Sequence, residues 1–297
     1  MRITSAGSYQ SLLNSLQSIE QRLQTDQTEI TSGNRINQPS DDPAGAADIV
    51  RLTGEKAQIA QYTSNASAGQ DRLNFTDTVL NNVQTAVQRV ITLGQTALGK
   101  IGIGTTTDPS VYTAEINSLR DQIVSEANSS FQGSYLFGGT VADKPPYAVQ
   151  ADQSVIYQGN SNVTKVQVSG NSTLQVQIPG DQVFSGSINI FDSINQLSAA
   201  ITSGDKSAIQ TQLGNLQQYY DSVSVARTQV GALINQAQSV QSDLQSYELA
   251  RASDQSRVQD ADLAHATTDF TQTQTTLQAA MQVGAKISQL SLLDYVQ

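Results

Sequence analysis

The chain has 297 residues, of which 38% are hydrophobic, 14% are charged and only 5% are aromatic. So few large apolar side chains supply little volume for a thick globular core, whereas paired helices need only a narrow apolar stripe. The net charge of −10 argues against nucleic acid and anionic membranes as partners, and the absence of cysteine excludes disulfides, thiolate nucleophiles and thiolate metal sites.

The N-terminal segment, residues 9–30, has the pattern of an amphipathic helix. Apolar residues recur at alternating steps of four and three, which places them on one stripe of a helix. This first stripe consists of Leu12, Leu16, Ile19, Leu23 and Ile30. Asp26 interrupts it at the one position where another apolar residue is expected. Gly33 predicts the end of the helix, because glycine readily adopts the left-handed conformation that follows a C-cap.

A polar connector, residues 35–43, leads to a second and much longer helix. Asp42 followed by Pro43 predicts an N-cap and the first helical position. Apolar residues at intervals of seven predict a helix of about 55 residues that ends near Leu98, on the order of 80 Å long. The Asp-Pro pair at 108–109 repeats the capping pattern and predicts a third, shorter helix.

From about residue 134 to residue 190 the helical pattern is absent. Prolines and glycines break helices here, and apolar side chains alternate with polar ones as they do in half-buried strands. The alternating residues include Val166, Val168, Leu174, Val176 and Ile178. This pattern predicts a small antiparallel β domain of about 50 residues, inserted between helices.

Helical patterns resume at Ile190, end at Gly204 and restart at Asp205. The second of these patterns continues past Tyr247, which makes it the natural antiparallel partner of residues 43–98. The β insert would then lie at the far end of the two long helices.

The C-terminal segment, residues 263–297, repeats the amphipathic pattern of the N-terminal one. The second stripe consists of Leu263, Ala266, Phe270, Leu277, Ala280 and Ile287, with Thr273 and Gly284 as weak members. A chain with such a stripe at each end is expected to bring its ends together and to bury them against other copies. This favours an assembly protein over an enzyme.

These patterns together predict a mainly α fold. It is an elongated antiparallel helical rod, a coiled-coil-like bundle, with a small β domain inserted at the tip and the N- and C-terminal helices pairing at the other end. The predicted parts are an N-terminal assembly helix with its connector, two portions of the rod separated by the β domain, and a C-terminal assembly helix. In that order their residues are 1–42, 43–133, 134–190, 191–256 and 257–297.

Two candidate sites for chemistry fail on their spacing. Residues 94–101 nearly form a phosphate-binding loop, but Ile101 stands where Ser or Thr must hold magnesium, and the segment follows a helix instead of a strand. His265 has Asp262 and Asp269 nearby, yet these lie on a predicted exposed helix face, where solvated charges are far more common than a metal or catalytic site. We therefore nominate no catalytic, cofactor-binding or metal-binding residue and expect no cofactor.

Three stretches resemble the bacterial flagellin superfamily. MRIT (1–4) and SGNRINQPSDDPAGAA (32–47) are similar to its N-terminal region. RVQDAD (257–262) and AKISQLSLLDYV (285–296) are similar to its C-terminal region. Between them, GSYLFGGT (133–140) resembles the entrance to the middle domain of those members that join the flagellar hook to the filament, and the LLDY within the last stretch also favours that branch.

The resemblance implies a function and a set of partners. It implies a structural subunit outside the cell, at the hook–filament junction, exported unfolded by the flagellar type III apparatus without a cleaved signal peptide. The implied partners are further copies of the chain, flagellin, a companion hook-associated junction protein and an export chaperone. The implied chaperone contacts are Leu277, Met281, Ile287, Leu290 and Leu293. Because no stretch approaches the roughly 20 apolar residues of a membrane span, no membrane insertion is expected.

Three alternatives stay open. The chain could be a flagellin-type subunit, which would polymerise into long filaments. It could be a different type III-secreted coiled-coil protein, such as a needle or tip component. An enzyme would need a site within the β insert, where Asp152 and Asp181 are the only carboxylates between residues 148 and 190.

The pattern of the two ends also leads to a hypothesis about their order. Tertiary packing supplies most of the stability of helices in proteins, and an isolated amphipathic helix cannot bury its stripe. We therefore expect both ends to be disordered in solution and to fold on incorporation into an assembly. The interruption at Asp26 and the weak positions Thr273 and Gly284 fit a seam that is too poor to close alone.

Overall fold

The computed structural model describes residues 2–101, 108–141 and 143–296, with side chains from Tyr9 to Lys286 outside the two gaps. In chain order its helices are α1 (Arg2–Ser32), α2 (Pro43–Lys100), α3 (Pro109–Ala127), α4 (Gly180–Phe184), α5 (Ile190–Ser203), α6 (Lys206–Gln259) and α7 (Leu263–Val296). Its strands are β1 (Ser130–Phe131), β2 (Ser134–Tyr135), β3 (Tyr147–Val149), β4 (Val155–Tyr157), β5 (Lys165–Gln167) and β6 (Thr173–Gln175). The prediction of a mainly α fold with a small inserted β region is confirmed.

The helix ends lie where the capping residues predict them. Gly33 follows α1 with a φ of 72°, and Gly204 follows α5 with a φ of 74°, so both adopt the left-handed conformation that favours glycine. Asp42 Oδ1 accepts the Gly45 N–H at 3.0 Å before α2, and Asp108 Oδ1 accepts the Ser110 N–H at 2.9 Å before α3. Local chemistry therefore sets these boundaries.

The chain divides into two compact units. One consists of Met1–Gln58 and Tyr247–Gln297, and the other of Ile59–Ser246. The first unit holds α1, α7, the beginning of α2 and the end of α6, while the second holds all the strands and the remaining helices. Among the described residues, no helix is both long and apolar enough to cross a membrane.

Within the second unit, α2 and α6 run antiparallel, as predicted. Their side chains meet in order from one end to the other: Gln241 Nε2 donates to Gln70 Oε1 at 2.8 Å, Arg227 Nε to Asp77 Oδ1 at 2.9 Å, and Gln84 Nε2 to Ser224 Oγ at 2.8 Å. The partner on α6 moves back along the chain as the residue on α2 moves forward. The two long helices are thus paired over this stretch.

The core of the second unit is apolar and centres on a group of aromatic rings. Phe184 is fully buried, and its ring centroid lies 5.1 Å from Phe137, 5.3 Å from Tyr147 and 6.2 Å from Phe191. Leucine, isoleucine and valine side chains of α2, α3, α5 and α6 pack around these rings. Few aromatic residues are available in this chain, and several of them are concentrated here.

The strands differ from the prediction in their arrangement. Within the described part of the chain they form three separate antiparallel hairpins, β1–β2, β3–β4 and β5–β6, of two or three residue pairs each, instead of one sheet. The β5–β6 hairpin lies against α2 and α6 near Ala66 and Ala237, not at the end of the long helices. Small side chains on α2 provide the physical reason, because they leave room for strand side chains to pack on the helix.

Tyr219 leads to a prediction about alkaline stability. Its side chain is 1% exposed, and its hydroxyl has no hydrogen-bond partner among the described residues. Burial raises the pKa of Tyr219 above its ordinary value of 10.0, because the tyrosinate would be desolvated. The stability contributed by the neutral ring is fully present below about pH 10 and is lost as the pH rises towards the folded-state pKa. Tyr219→Phe should therefore move the alkaline unfolding midpoint, followed by circular dichroism, to higher pH.

A matched control is the neighbouring Tyr220, which is only half-buried. Tyr220→Phe should leave the alkaline midpoint close to that of the parent chain. Equal midpoints for the parent and the Tyr219→Phe variant would contradict the argument.

Candidate functional site: the terminal helix pair and its connectors

The two ends of the chain pair with each other in antiparallel fashion through α1 and α7. Leu12, in the first half of α1, lies opposite Gly284 of α7. A Cβ added at Gly284 would be 3.0 Å from Leu12 Cδ2. Further along, Thr273 Oγ1 donates to Asp26 Oδ2 at 3.0 Å. The contact partner on α7 moves back along the chain as α1 advances. We call α1 and α7 together the terminal helix pair.

Most of the predicted interface residues are only half-buried in the terminal helix pair. The half-buried ones are Leu12, Leu16, Ile19, Leu23, Ile30, Phe270 and Leu277. Ala266 is buried, whereas Leu263, in the first turn of α7, is 50% exposed. The side chain of Ile287 lies outside the described residues. A pair of helices alone leaves one side of each stripe uncovered, and whether these ends are ordered in the free chain stays a prediction.

Asp26, Thr273 and Gly284 have a role in the pair that the sequence did not indicate. Asp26 and Thr273, read as an interruption and a weak member, face each other and share a hydrogen bond. Gly284, read as a second weak member, makes room for the Leu12 side chain. The irregular positions of the two stripes therefore lie opposite residues that fit them.

The Asp26–Thr273 contact leads to a prediction about the stability of the ends. Thr273→Val removes the donor and leaves a half-buried carboxylate without it, so protease cleavage within α1 and α7 should become faster. The double variant Asp26→Leu with Thr273→Val replaces both partners by apolar groups and should make cleavage slower than in the parent chain, because a hydrogen bond of this kind contributes only about 1 kcal/mol net. Cleavage rates within the two helices, measured on the chain in isolated flagella, provide the measurement. A double variant cleaved as fast as Thr273→Val alone would contradict the proposed register.

Two connectors hold the terminal helix pair to the rest of the first unit. The Arg35 N–H donates to the Gln259 carbonyl at 2.7 Å, and the Ala261 N–H donates to the Gly33 carbonyl at 2.9 Å. Arg35 Nη2 also donates to the Val258 carbonyl at 2.9 Å. These bonds join the segment after α1 to the segment before α7, like two short strands. The end of α1 and the beginning of α7 are thus held next to each other.

The connector before α2 is stabilised by its own acidic residues. Asp41 Oδ2 accepts the N–H groups of Asn37 and Gln38 at 3.0 and 2.8 Å, which closes the loop around the proline turn. Ile36 is buried and packs against Gly45, where an added Cβ would collide with its Cδ1. Within the motif at residues 32–47, Asp41, Ile36 and Gly45 therefore each have a structural role.

A chain of alternating charges crosses from α2 to α6 in the first unit. Arg51 pairs with Asp48 at 3.1 Å and with Glu55 at 2.7 Å, and Glu55 pairs with Arg251 at 3.0 Å. Arg251 continues to Asp254 at 3.1 Å, and Asp254 also binds Arg257. The flanking carboxylates raise the pKa of the exposed Arg51. Exposed pairs contribute little one by one, but a network fixes the register of the two helices more firmly.

The terminal helix pair also exposes large apolar side chains to solvent. Among the described residues of α1 and α7 they are Tyr9, Leu13, Leu263, Met281 and Val283, with exposed fractions between 37% and 52%. Of the residues expected to bind a chaperone, Met281 is exposed and Leu277 is half-buried. The side chains of Ile287, Leu290 and Leu293 lie outside the described residues. The surface of the pair is thus suited to further helix packing.

The positions considered for chemistry have structural roles. Asp262 Oδ1 accepts the N–H groups of Ala264 and His265 and so caps α7, while His265 Nδ1 lies 2.9 Å from Asp269 Oδ2 on an exposed face. Residues 94–100 are helical, and Gly94 packs against Leu213. Among the described residues, no three His, Cys, Asp or Glu side chains are placed to hold a metal ion.

Long paired helices, a small β insert and two half-covered terminal helices define a mainly helical protein. Comparison with known proteins identifies the kind of protein. Residues 3–142 match the bacterial flagellin N-terminal helical region, and residues 213–296 match the bacterial flagellin C-terminal helical region. The chain belongs to the bacterial flagellin superfamily.

Individual relatives are similar over most of their length. Flagellar hook-associated protein 3 of Escherichia coli is 24% identical over 89% of this chain and 90% of its own. Flagellin of Bacillus subtilis is 28% identical over 93% of each chain. The structure of the flagellar junction protein FlgL of Legionella pneumophila covers 71% of this chain and 99% of its own, with a TM-score of 0.58 and 15% identity.

Proposed function

We propose that the chain is the structural subunit that joins the hook of the bacterial flagellum to its filament. The observation that carries this proposal is the terminal helix pair, whose apolar stripe is only half covered within one chain. The similarity to hook-associated protein 3 over most of both chains supports the particular place in the flagellum. The work of such a subunit is mechanical, and its location is extracellular.

The energetics of burial support assembly through the ends. Each leucine or isoleucine that becomes fully buried contributes roughly 1.5–3 kcal/mol before the entropy of ordering is subtracted. Several half-buried members of the two stripes can gain part of this amount at once when other copies cover them. A single chain has no neighbours to supply that burial, so the ends complete their folding on incorporation.

The proposed partners follow from the position of the subunit. Copies of the chain contact one another through the terminal helix pairs and form a thin layer. One side of that layer meets a companion hook-associated junction protein, and the other meets flagellin. Tyr9, Leu13 and Leu263 are exposed apolar residues of the pair that neighbouring copies would cover.

An export chaperone is proposed to hold α7 before assembly. Leu277, which packs half-buried in the terminal helix pair, is also one of the proposed chaperone contacts, with Met281, Ile287, Leu290 and Leu293. One face of Leu277 cannot contact α1 and a chaperone at once. The chaperone would therefore keep the terminal helix pair open until the chain passes, unfolded and without a cleaved signal, through the type III export apparatus.

A flagellin-type filament subunit is the second candidate. Flagellin of Bacillus subtilis is somewhat more identical to this chain than hook-associated protein 3 of Escherichia coli is. The two functions differ in the extent of assembly, because a filament subunit polymerises without limit, whereas a junction subunit stops at a thin layer.

Labelled electron microscopy of isolated flagella distinguishes the two candidates. An epitope inserted at Gly170, in the exposed turn of the β5–β6 hairpin, would be detected with gold-conjugated antibody. We expect a single band at the boundary between hook and filament. Labelling along the whole filament would overturn the junction proposal in favour of flagellin.

A further inference from the structure

The β5–β6 hairpin packs on the two long helices of the second unit through a small apolar cluster of its own. Gly69 on α2 is covered so closely that an added Cβ would lie 2.6 Å from Val176 Cγ1 and 3.6 Å from both Leu174 and Val166. The Asn65 side chain donates to the Gln167 carbonyl at 2.9 Å. The hairpin therefore lies directly on one face of α2.

The apolar cluster under this hairpin is small and separate from the main core. Its buried members are Ala66, Val168, Leu174, Val176, Ala237 and Leu244, and none of them belongs to the aromatic core. Ile59, Tyr62, Val166 and Val240 pack around it. Among the described residues, the cluster consists of α2, α6 and the hairpin with its flanking residues. A region with few buried apolar contacts opens at a lower free energy than a large core does.

The base of the hairpin is anchored where its two strands leave the main core. Gln177, 1% exposed, donates through Nε2 to the Leu136 carbonyl at 2.6 Å, and the Thr164 hydroxyl donates to Gln177 Oε1 at 2.6 Å. Val176, on one side of Gln177, packs in the small cluster, and Ile178, on the other side, packs in the main core. Gln177 thus marks the boundary between the two clusters.

The β3–β4 hairpin, by contrast, is part of the main core. Tyr147 and Val155 are buried in it. The buried Arg120 also holds the turn of that hairpin, because its Nη2 donates to Gln153 Oε1 at 2.7 Å and its Nη1 donates to Asn195 at 2.8 Å. These hydrogen bonds would break only if the main core itself unfolded.

We propose that the β5–β6 hairpin is a strap that opens and closes on α2 and α6 as a separate unit, hinged at Gln177, while the aromatic core stays folded. Closed, the strap clamps the two helices together beside Ala66 and Ala237. Open, it uncovers an apolar strip that includes Tyr62 and Val240 and frees the helices to separate there. Opening of the strap is therefore the first step in the separation of the two helices. This step does not depend on what the chain assembles with.

Hydrogen exchange on the full chain, followed by mass spectrometry, tests the strap. The reporters are the Val168 and Val176 amides, which donate to the Ser172 and Thr164 carbonyls, compared with the buried turns of α3 and α5. We expect the hairpin amides to exchange at least about a hundredfold faster than those core amides, after correction for intrinsic rates. Equal protection of hairpin and core would overturn the proposal.

Gly69→Ala and Gly54→Ala provide a matched pair of variants. Both replace a glycine within α2 and give the helix the same gain in propensity. At Gly54 there is open space within 4 Å, whereas at Gly69 the new Cβ would collide with Val176. We expect Gly69→Ala to speed hairpin exchange about tenfold with α3 and α5 unchanged, and Gly54→Ala to do neither. Equal acceleration of hairpin and core by Gly69→Ala would overturn the proposal.

A reversible cross-link supplies an independent test, because the chain has no cysteine of its own. A Cβ at position 69 lies close enough to Val176 for the pair Gly69→Cys and Val176→Cys to reach the ~3.5–4.5 Å between Cβ atoms that a disulfide needs. Oxidation should slow hairpin exchange to the rate of the core, and reduction should restore it. Failure of the disulfide to form, or unchanged exchange in the oxidised protein, would count against the strap.

Discussion

Removal of residues 277–297 is expected to abolish filament attachment while the unit of residues 59–246 stays folded. The deletion takes away Leu277 and the Gly284 position that receives Leu12, so the second half of α1 keeps its partners but the first half loses them. None of the removed residues belongs to the second unit. Swimming and filament attachment in a strain without its own junction protein provide the readout, with circular dichroism as the check on folding.

A pair of point variants makes the same test without shortening the chain. Gly284→Leu places a large side chain against Leu12, whereas Ala285→Leu adds the same side chain at an exposed neighbouring position of α7. We expect the first variant to lose attachment and the second to retain it. Full attachment by the truncated chain, or retention of attachment by both point variants, would show that this end of the chain has no assembly role.

Phe184→Ala is expected to have the largest effect on the stability of the second unit. Phe184 is fully buried and lies between the rings of Phe137 and Tyr147, so its loss removes apolar burial and leaves a cavity. Deletions of this kind cost about 3–5 kcal/mol in the free energy of unfolding. Near-ultraviolet circular dichroism of the tyrosines, followed through urea unfolding, reports on this core.

Phe75→Ala serves as the control for that substitution. Phe75 is 37% exposed, with its ring 5.8 Å from Phe131, and it lies at the edge of the unit. We expect it to cost about 1 kcal/mol, the central value for point variants. If both variants shifted the urea midpoint equally, the aromatic group around Phe184 would not be the centre of the core.

The helices of this protein could be predicted from the sequence because their signals are local. Asp42, Asp108, Gly33 and Gly204 mark helix ends through their own side chains or backbone conformations, and the structure places the ends there. The pairing of α2 with α6 followed from the period of apolar residues, which is a property of each helix alone. Such features do not depend on the conformation of the rest of the chain.

The matching of residues far apart in the chain could not be predicted in this way. Asp26 and Thr273 each look unfavourable in their own helix, and their hydrogen bond is visible only when the register of α1 against α7 is known. The contact of Gly69 with Val176 likewise depends on where the hairpin lies on α2. Periodicity shows that an apolar face exists, but it does not show which residue will cover it.

Limited proteolysis of the free chain and of the chain within isolated flagella tests the central claim most directly. The claim is that the terminal helix pair, half covered in one chain, completes its folding only against other copies. We expect rapid cleavage within residues 1–40 and 258–297 of the free chain, and protection of the same segments in flagella. Resistance of both segments in the free chain would contradict the account.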